Sequence, residues 1–208
     1  MIDIASAVSG RRPSGADRER LAAAVDGACC DVGFFAVTGH GVPTEVVDEL
    51  ITEAWRFFDL PLSDRMSAAK PAPGAPYGYD PIAAEALNRS IGGDTPPDLK
   101  ETFNVGPVGP PPRPLDEMDD PDERDVYAPN RWPDALPTLR PSVEAYYEAM
   151  SDLSSSLMGL FALALGLDDD WFDPLIDRHG SALRLAHYPG LDRPPTDGAL
   201  RAGAHTDY

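Results

Sequence analysis

Lysine is almost missing from this chain. Lys70 and Lys100 are the only two in 208 residues, and Lys plus Arg number 17 against 35 acidic residues. The resulting net charge of -18 argues against nucleic acid or an anionic membrane as the main partner, because both need a basic surface. Cysteine is scarce as well: Cys29 and Cys30 are the only two and are adjacent. Neighbouring cysteines rarely bridge, since the required dihedral geometry strains the backbone. Their spacing fits no zinc motif, so one buried and one half-exposed thiol are expected. Long apolar runs are lacking too. The start, Met1-Ile2-Asp3-Ile4, has neither a basic region nor a long apolar stretch, which predicts no signal peptide, no membrane span and a cytoplasmic location.

What is present is ordered in blocks. The hydrophobic share is 42%, and the 23 prolines that depress it cluster in connections between periodic segments. Asp17 to Asp31 carries Leu21, Ala24, Val25 and Ala28 at helical spacing, and Gly33 ends it. Phe34 to Thr38 reads as a short buried strand closed by the turn Gly39-His40-Gly41, with His40 a turn residue rather than a ligand. Pro43 suits the first turn of a helix whose apolar stripe runs to Phe57 and Phe58, with Trp55 and Phe58 as core. Ser63 is placed to cap a short successor.

Pro71 to Pro81 is Pro/Gly-rich, and Glu101 to Val105 reads as a strand. Gly106 to Pro137 is a connection rich in Pro and Asp, without the alternation or central Gly of a calcium loop, and is read as a solvated excursion. Pro141 opens the longest helix, and Gly166 is its expected C-cap. An Asp among Asp168, Asp169 and Asp170 is expected to cap a short helix through Ile176.

Ala182 to Tyr188 alternates. Leu183, Leu185 and His187 share one face of the predicted strand; Arg184, Ala186 and Tyr188 share the other. Read as a strand in turn, Gly203 to Tyr208 sends His205 and Asp207 to one side. An imidazole beside a carboxylate makes two thirds of a facial triad for non-haem Fe(II). By itself His-x-Asp is a weak signal and more often describes a surface His beside a turn Asp.

In order and spacing these pieces resemble the isopenicillin N synthase-like non-haem Fe(II)/2-oxoglutarate-dependent dioxygenases. The resemblance is carried by Asp31 to Val42 (DVGFFAVTGHGV), by Phe57-Phe58 with Leu60-Pro61-Leu62, and by Gly78-Tyr79. It continues through Asp98-Leu99-Lys100-Glu101-Thr102-Phe103, Asn130-x-Trp132-Pro133, Leu183 to Pro189 and Gly203 to Tyr208. It implies an α+β chain: a helical and mixed N-terminal region followed by an incomplete double-stranded β-helix, or jelly roll. The expected organisation is a dioxygenase N-terminal region over 1–110, an acidic Pro-rich connection with a long backing helix over 111–180, and the start of the catalytic domain over 181–208.

The resemblance implies further that His205 and Asp207 hold Fe(II), and that Tyr188 hydrogen-bonds a cosubstrate or substrate carboxylate. Arg184 would meet an acidic substrate group or form a salt bridge at the barrel mouth. Ala186 stands where many members carry Asn. The implied reaction couples oxidative decarboxylation of 2-oxoglutarate by O2 to hydroxylation, desaturation or ring closure of a small molecule. The alternatives are an oxidase of the isopenicillin N synthase kind, without 2-oxoglutarate, and a non-catalytic remnant. The family's second iron-binding His and its Arg-x-Ser clamp belong to later strands, so the chain is expected to be a fragment or the product of a broken gene, inactive and poorly stable alone.

Overall fold

The computed structural model describes residues 1–8, 10–84, 96–190 and 199–203. The chain falls into two compact units, Met1–Ile51 with Pro141–His179, and Thr52–Arg140 with Gly180–Tyr208.

In the first unit, β1 (Ile2–Asp3) pairs in parallel with β2 (Val37–Thr38), Ile2 opposite Val37. Helix α1 (Gly15–Asp31) buries only Leu21 and Val25, four apart on one face, against this pair. The expected strand over Phe34 to Thr38 is shorter: the ladder takes in Val37 and Thr38, the Ala36 carbonyl accepts from the Ile2 amide at 2.8 Å, and Phe34 is 85% exposed. Both cysteines are exposed too, since they lie off the α1 stripe. Asp26 pushes the Cys30 thiol up from its usual value, with burial a lesser contribution.

The long helix α5 (Leu139–Ala164) supplies Leu153, Leu160 and Leu163 to the same core as Ile2, Ile4 and Val8. It ends as its sequence demands. Gly166 takes a positive φ of 73° and donates to the Leu163 carbonyl, and Leu167 donates to that of Ala162. This pair of bonds is a Schellman closure, in which glycine bears the left-handed residue without a Cβ penalty. The short helix α6 (Asp173–Ile176) follows, capped by Phe172 rather than by an aspartate, with Asp168 closing the preceding turn through its carbonyl.

Helix α2 (Thr44–Phe58) begins behind Pro43, whose carbonyl accepts from Val46 and Val47. Its last turns lie in the second unit. There Pro61, not Ser63, precedes the short helix α3 (Leu62–Met66). The sheet of this unit has the order β3 (Gly78–Asp80), β4 (Glu101–Val105), β5 (Leu183–His187), antiparallel throughout.

The sheet register sorts the side chains. Tyr79, Phe103 and Leu185 lie in one cross-strand row, and Asp80, Thr102 and Ala186 in the next. The apolar face meets Phe57, whose ring centre lies 4.7 Å from that of Phe103 and 5.7 Å from that of Tyr79. Tilted aromatic pairs at these separations add stabilisation beyond area burial. The Pro- and Asp-rich connection is not wholly irregular. It holds helix α4 (Pro121–Val126), whose N-cap Asp120 accepts from the Asp122 amide.

Candidate active site

Strand β5 sets two of the predicted site residues. Arg184 and Ala186 are exposed on the side of β5 away from the aromatic cluster, while Leu183, Leu185 and His187 are half-buried. Tyr188 directly follows the strand, 40% exposed, and its carbonyl accepts from Arg201 Nη1 at 3.3 Å. The Arg184 side chain is oriented from its neighbour in the sheet: its Nε donates to Asn104 Oδ1 at 2.7 Å. Asn104 in turn donates through Nδ2 to Asp80 Oδ2 at 3.2 Å, and Lys70 Nζ lies 2.5 Å from that oxygen. One polar row therefore runs across the sheet from Lys70 to Arg184.

Behind β5 stands a buried carboxylate. Glu101, 2% exposed, accepts from Arg65 Nη1 and Tyr79 Oη, and its Oε1 lies 2.8 Å from His187 Nδ1. The His187 ring is held besides between Phe58, at 4.9 Å, and Trp55, at 5.5 Å. Trp55 is thus not the core residue its helical position predicts. It is 57% exposed and makes an edge contact on the His187 ring. Burial, then the hydrogen bond and charge of Glu101, raise the Tyr79 hydroxyl well above its ordinary value, with Arg65 opposing.

The segment leading toward the predicted metal ligands is fixed from the same side. Gly203 N donates to Asp98 Oδ1 at 2.9 Å, and Leu99 N donates to the Leu200 carbonyl at 2.8 Å. His205 and Asp207 themselves lie outside the described residues. Among the described residues no group of three or more His, Cys, Asp or Glu is placed to hold a metal ion. His40 behaves as a turn residue: its Nδ1 accepts from the Val42 amide at 3.2 Å. A cleft of about 550 Å³ in the first unit is lined by neither Arg184 nor Tyr188, and two of its charged residues, Arg12 and Asp169, pair with each other at 2.7 Å.

The sequence profile described as "non-haem dioxygenase in morphine synthesis N-terminal" matches residues 1–135. The chain belongs to this non-haem dioxygenase family. The proline hydroxylase buaE of Petromyces alliaceus is 34% identical over 85% of the dioxygenase chain and 52% of its own length. Validamycin A dioxygenase of Streptomyces hygroscopicus subsp. limoneus is 31% identical over 92% of the chain and 51% of its own length. The chain thus spans about half the length of the curated relatives it matches. The crystal structure of a 2OG-Fe(II) oxygenase family protein from Caulobacter crescentus superposes on 91% of the chain with a TM-score of 0.71, covering 56% of that protein at 28% identity. The dioxygenase chain therefore shares a mixed helix-and-strand fold with a solved oxygenase.

Two features of this site carry little sequence signal. Asn104 and Arg184 are 80 residues apart, and Glu101 and His187 are 86 apart. The available clue was period two in both strands, which predicts their faces but not which residue stands opposite which. Among the described residues no helix is long and apolar enough to cross a membrane.

Proposed function

We propose that this chain is the part of an Fe(II)- and 2-oxoglutarate-dependent oxygenase that carries the first two iron ligands, acting with O2 on a small molecule. His205 and Asp207 are the proposed ligands; an imidazole and a carboxylate suit Fe(II) as a donor set. Bound Fe(II) supplies O2 activation and chelation of the 2-oxo acid. The protein's own residues then have distinct tasks. Arg184, turned by Asn104, faces an acidic group of substrate or cosubstrate, and the Tyr188 hydroxyl donates to a carboxylate oxygen. Residues 181–208 begin the incomplete jelly roll, 1–110 form the N-terminal region, and 111–180 connect the two.

The observation that carries this reading is the shared anchoring of β5, which bears Arg184, and of 199–203, which precede the proposed ligands in the chain, on one stretch of the second unit. It is supported by relatives whose names include 2-oxoglutarate-Fe(II) oxidoreductases and 2-oxoglutarate-dependent dioxygenases. The test is equilibrium dialysis of the chain with Fe(II) under anaerobic conditions, with and without labelled 2-oxoglutarate. His205→Ala is expected to lose the iron, and 2-oxoglutarate retention is expected only when iron is present. Equal iron retention by the native chain and His205→Ala would falsify the assignment.

A further inference from the structure

Asp98-Leu99-Lys100-Glu101 has no role in the proposed chemistry, yet it contains some of the most deeply buried charges of the chain. Asp98, Lys100 and Glu101 are 1%, 5% and 2% exposed. Buried charges are costly unless paired, so their retention in a four-residue run calls for a physical reason. The pairing pattern supplies one. Asp98 accepts the Gly203 amide at 2.9 Å, with Lys100 Nζ 3.9 Å from its other oxygen, and Leu99 N bonds the Leu200 carbonyl. Glu101, one residue on from Lys100, takes His187, the residue immediately before Tyr188.

We infer that Asp98 is a positioning residue for the metal site, holding Gly203, two residues before His205 in the chain, while Glu101 at the other end of the same run fixes the strand that carries Arg184 and leads into Tyr188. The inference rests on the reading of His205 and Asp207 as metal ligands. From Gly203 to His205 an extended chain covers roughly 7 Å, so an anchor at Gly203 limits where the imidazole can stand. A buried, charge-assisted acceptor is the strong kind of hydrogen bond, and its direction is set by the carboxylate rather than by solvent. Without it, the donors must be ordered at the moment of metal binding, and affinity falls. Groups that hydrogen-bond a metal ligand directly typically contribute about 10-fold to 100-fold in metal affinity, and an anchor two residues away belongs at the low end of that range.

The test uses the full chain and Co(II) alone as the probe, followed by paramagnetic shifts in amide NMR spectra, which detect weak binding and locate it. Tryptophan emission serves as the folding control. The native chain is expected to bind Co(II) near residues 204–208 and His205→Ala to lose that binding. Asp98→Ala should weaken it by about 10-fold at unchanged emission, and Asp98→Asn, which keeps an acceptor for Gly203, should stay within about 3-fold of native. If the native chain and His205→Ala respond alike, the metal reading fails and takes this inference with it. If His205→Ala loses Co(II) but Asp98→Ala binds as the native chain does, the metal reading stands and the positioning role is overturned. Should Asp98→Ala not fold, Asp98→Asn decides. Native-like affinity with slow exchange of the Gly203 amide supports the clasp, and a 10-fold loss with that amide still protected overturns it.

Discussion

Replacing Glu101 by Leu tests the physical centre of the second unit. The carboxylate receives Arg65, Tyr79 and His187 at 2% exposure, and the Arg65 side chain is itself only 16% exposed. Leucine fills the space but leaves a half-buried guanidinium and a buried hydroxyl without their acceptor. Removing one partner of a buried ion pair typically costs about 3–5 kcal/mol, of which part is recovered here through solvent reaching the outer edge of Arg65. A loss of about 3 kcal/mol is expected for Glu101→Leu, and about 1–2 kcal/mol for Glu101→Gln, which retains one acceptor oxygen. The double variant Arg65→Met/Glu101→Leu should be more stable than Glu101→Leu alone, because it removes the stranded charge. Urea unfolding followed by tryptophan emission measures this. Trp171 lies in the other unit, so a Trp171→Phe background leaves Trp55 and Trp132 to report on the second unit alone. Coincident transitions in emission and circular dichroism license the free energies. A cost below about 1 kcal/mol for Glu101→Leu would show that the carboxylate is not the keystone its contacts suggest.

Two further outcomes follow from the same unit. A Cβ on Gly106 would overlap the Tyr77 ring, whose hydroxyl donates to the Val126 carbonyl at 2.8 Å, so Gly106→Ala must displace the ring. About 1–3 kcal/mol of destabilisation is expected, read as a lowered melting temperature with altered near-ultraviolet dichroism, and an unchanged melting temperature would contradict it. The raised Tyr79 hydroxyl gives a pH dependence of known sign: the folded state holds this proton more tightly than the unfolded state, so its contribution is complete below the unfolded value and is lost as pH rises above it. Stability should therefore decline beyond about pH 10, and Tyr79→Phe should make that decline shallower; an identical slope in the two proteins counts against the role given to Tyr79.

Much of this architecture could be read from residue order. Glu101 to Val105 reads as a strand and Leu183 to His187 alternates, and both are strands; the α5 stripe with Gly166 fixes a helix and its stop. Failures came where pairing or capping depends on something distant. Phe34 has strand chemistry but no ladder partner among the described residues, Trp55 lies on an apolar stripe that is buried at Phe58 and exposed at Trp55, and Gly78–Asp80 is a strand inside a Pro/Gly-rich run because β4 offers it a ladder. The Asn130 signature was legible as a resemblance, but its task was not. Its Oδ1 accepts the Gly106 amide at 2.8 Å and its Nδ2 donates to the Pro107 carbonyl at 3.1 Å, so it satisfies backbone that leaves β4. For the site, parity predicts Arg184 and Tyr188 on one side, whereas nothing in the sequence near Asp98 and Glu101 points to Gly203 and His187, more than 80 residues away, as their partners.

The scarcity of lysine then acquires a meaning. Both lysines face carboxylates in the second unit: Lys70 lies 2.5 Å from Asp80 with its side chain 18% exposed, and Lys100 is buried near Asp98. With Arg65 on Glu101, three acids at the margins of one small sheet each have a cation beside them, in a chain whose net charge is -18. Many acidic groups elsewhere are exposed and remain solvated. These three are largely desolvated, and a buried carboxylate is costly unless a cation pairs with it. Salt screens exposed charges far more than buried ones, so raised ionic strength should relax the repulsion of the acidic surface while leaving these pairs in place. An acidic exterior and cation-matched acids beside the sheet are thus compatible, and the few lysines stand where a compact ammonium is needed beside a carboxylate.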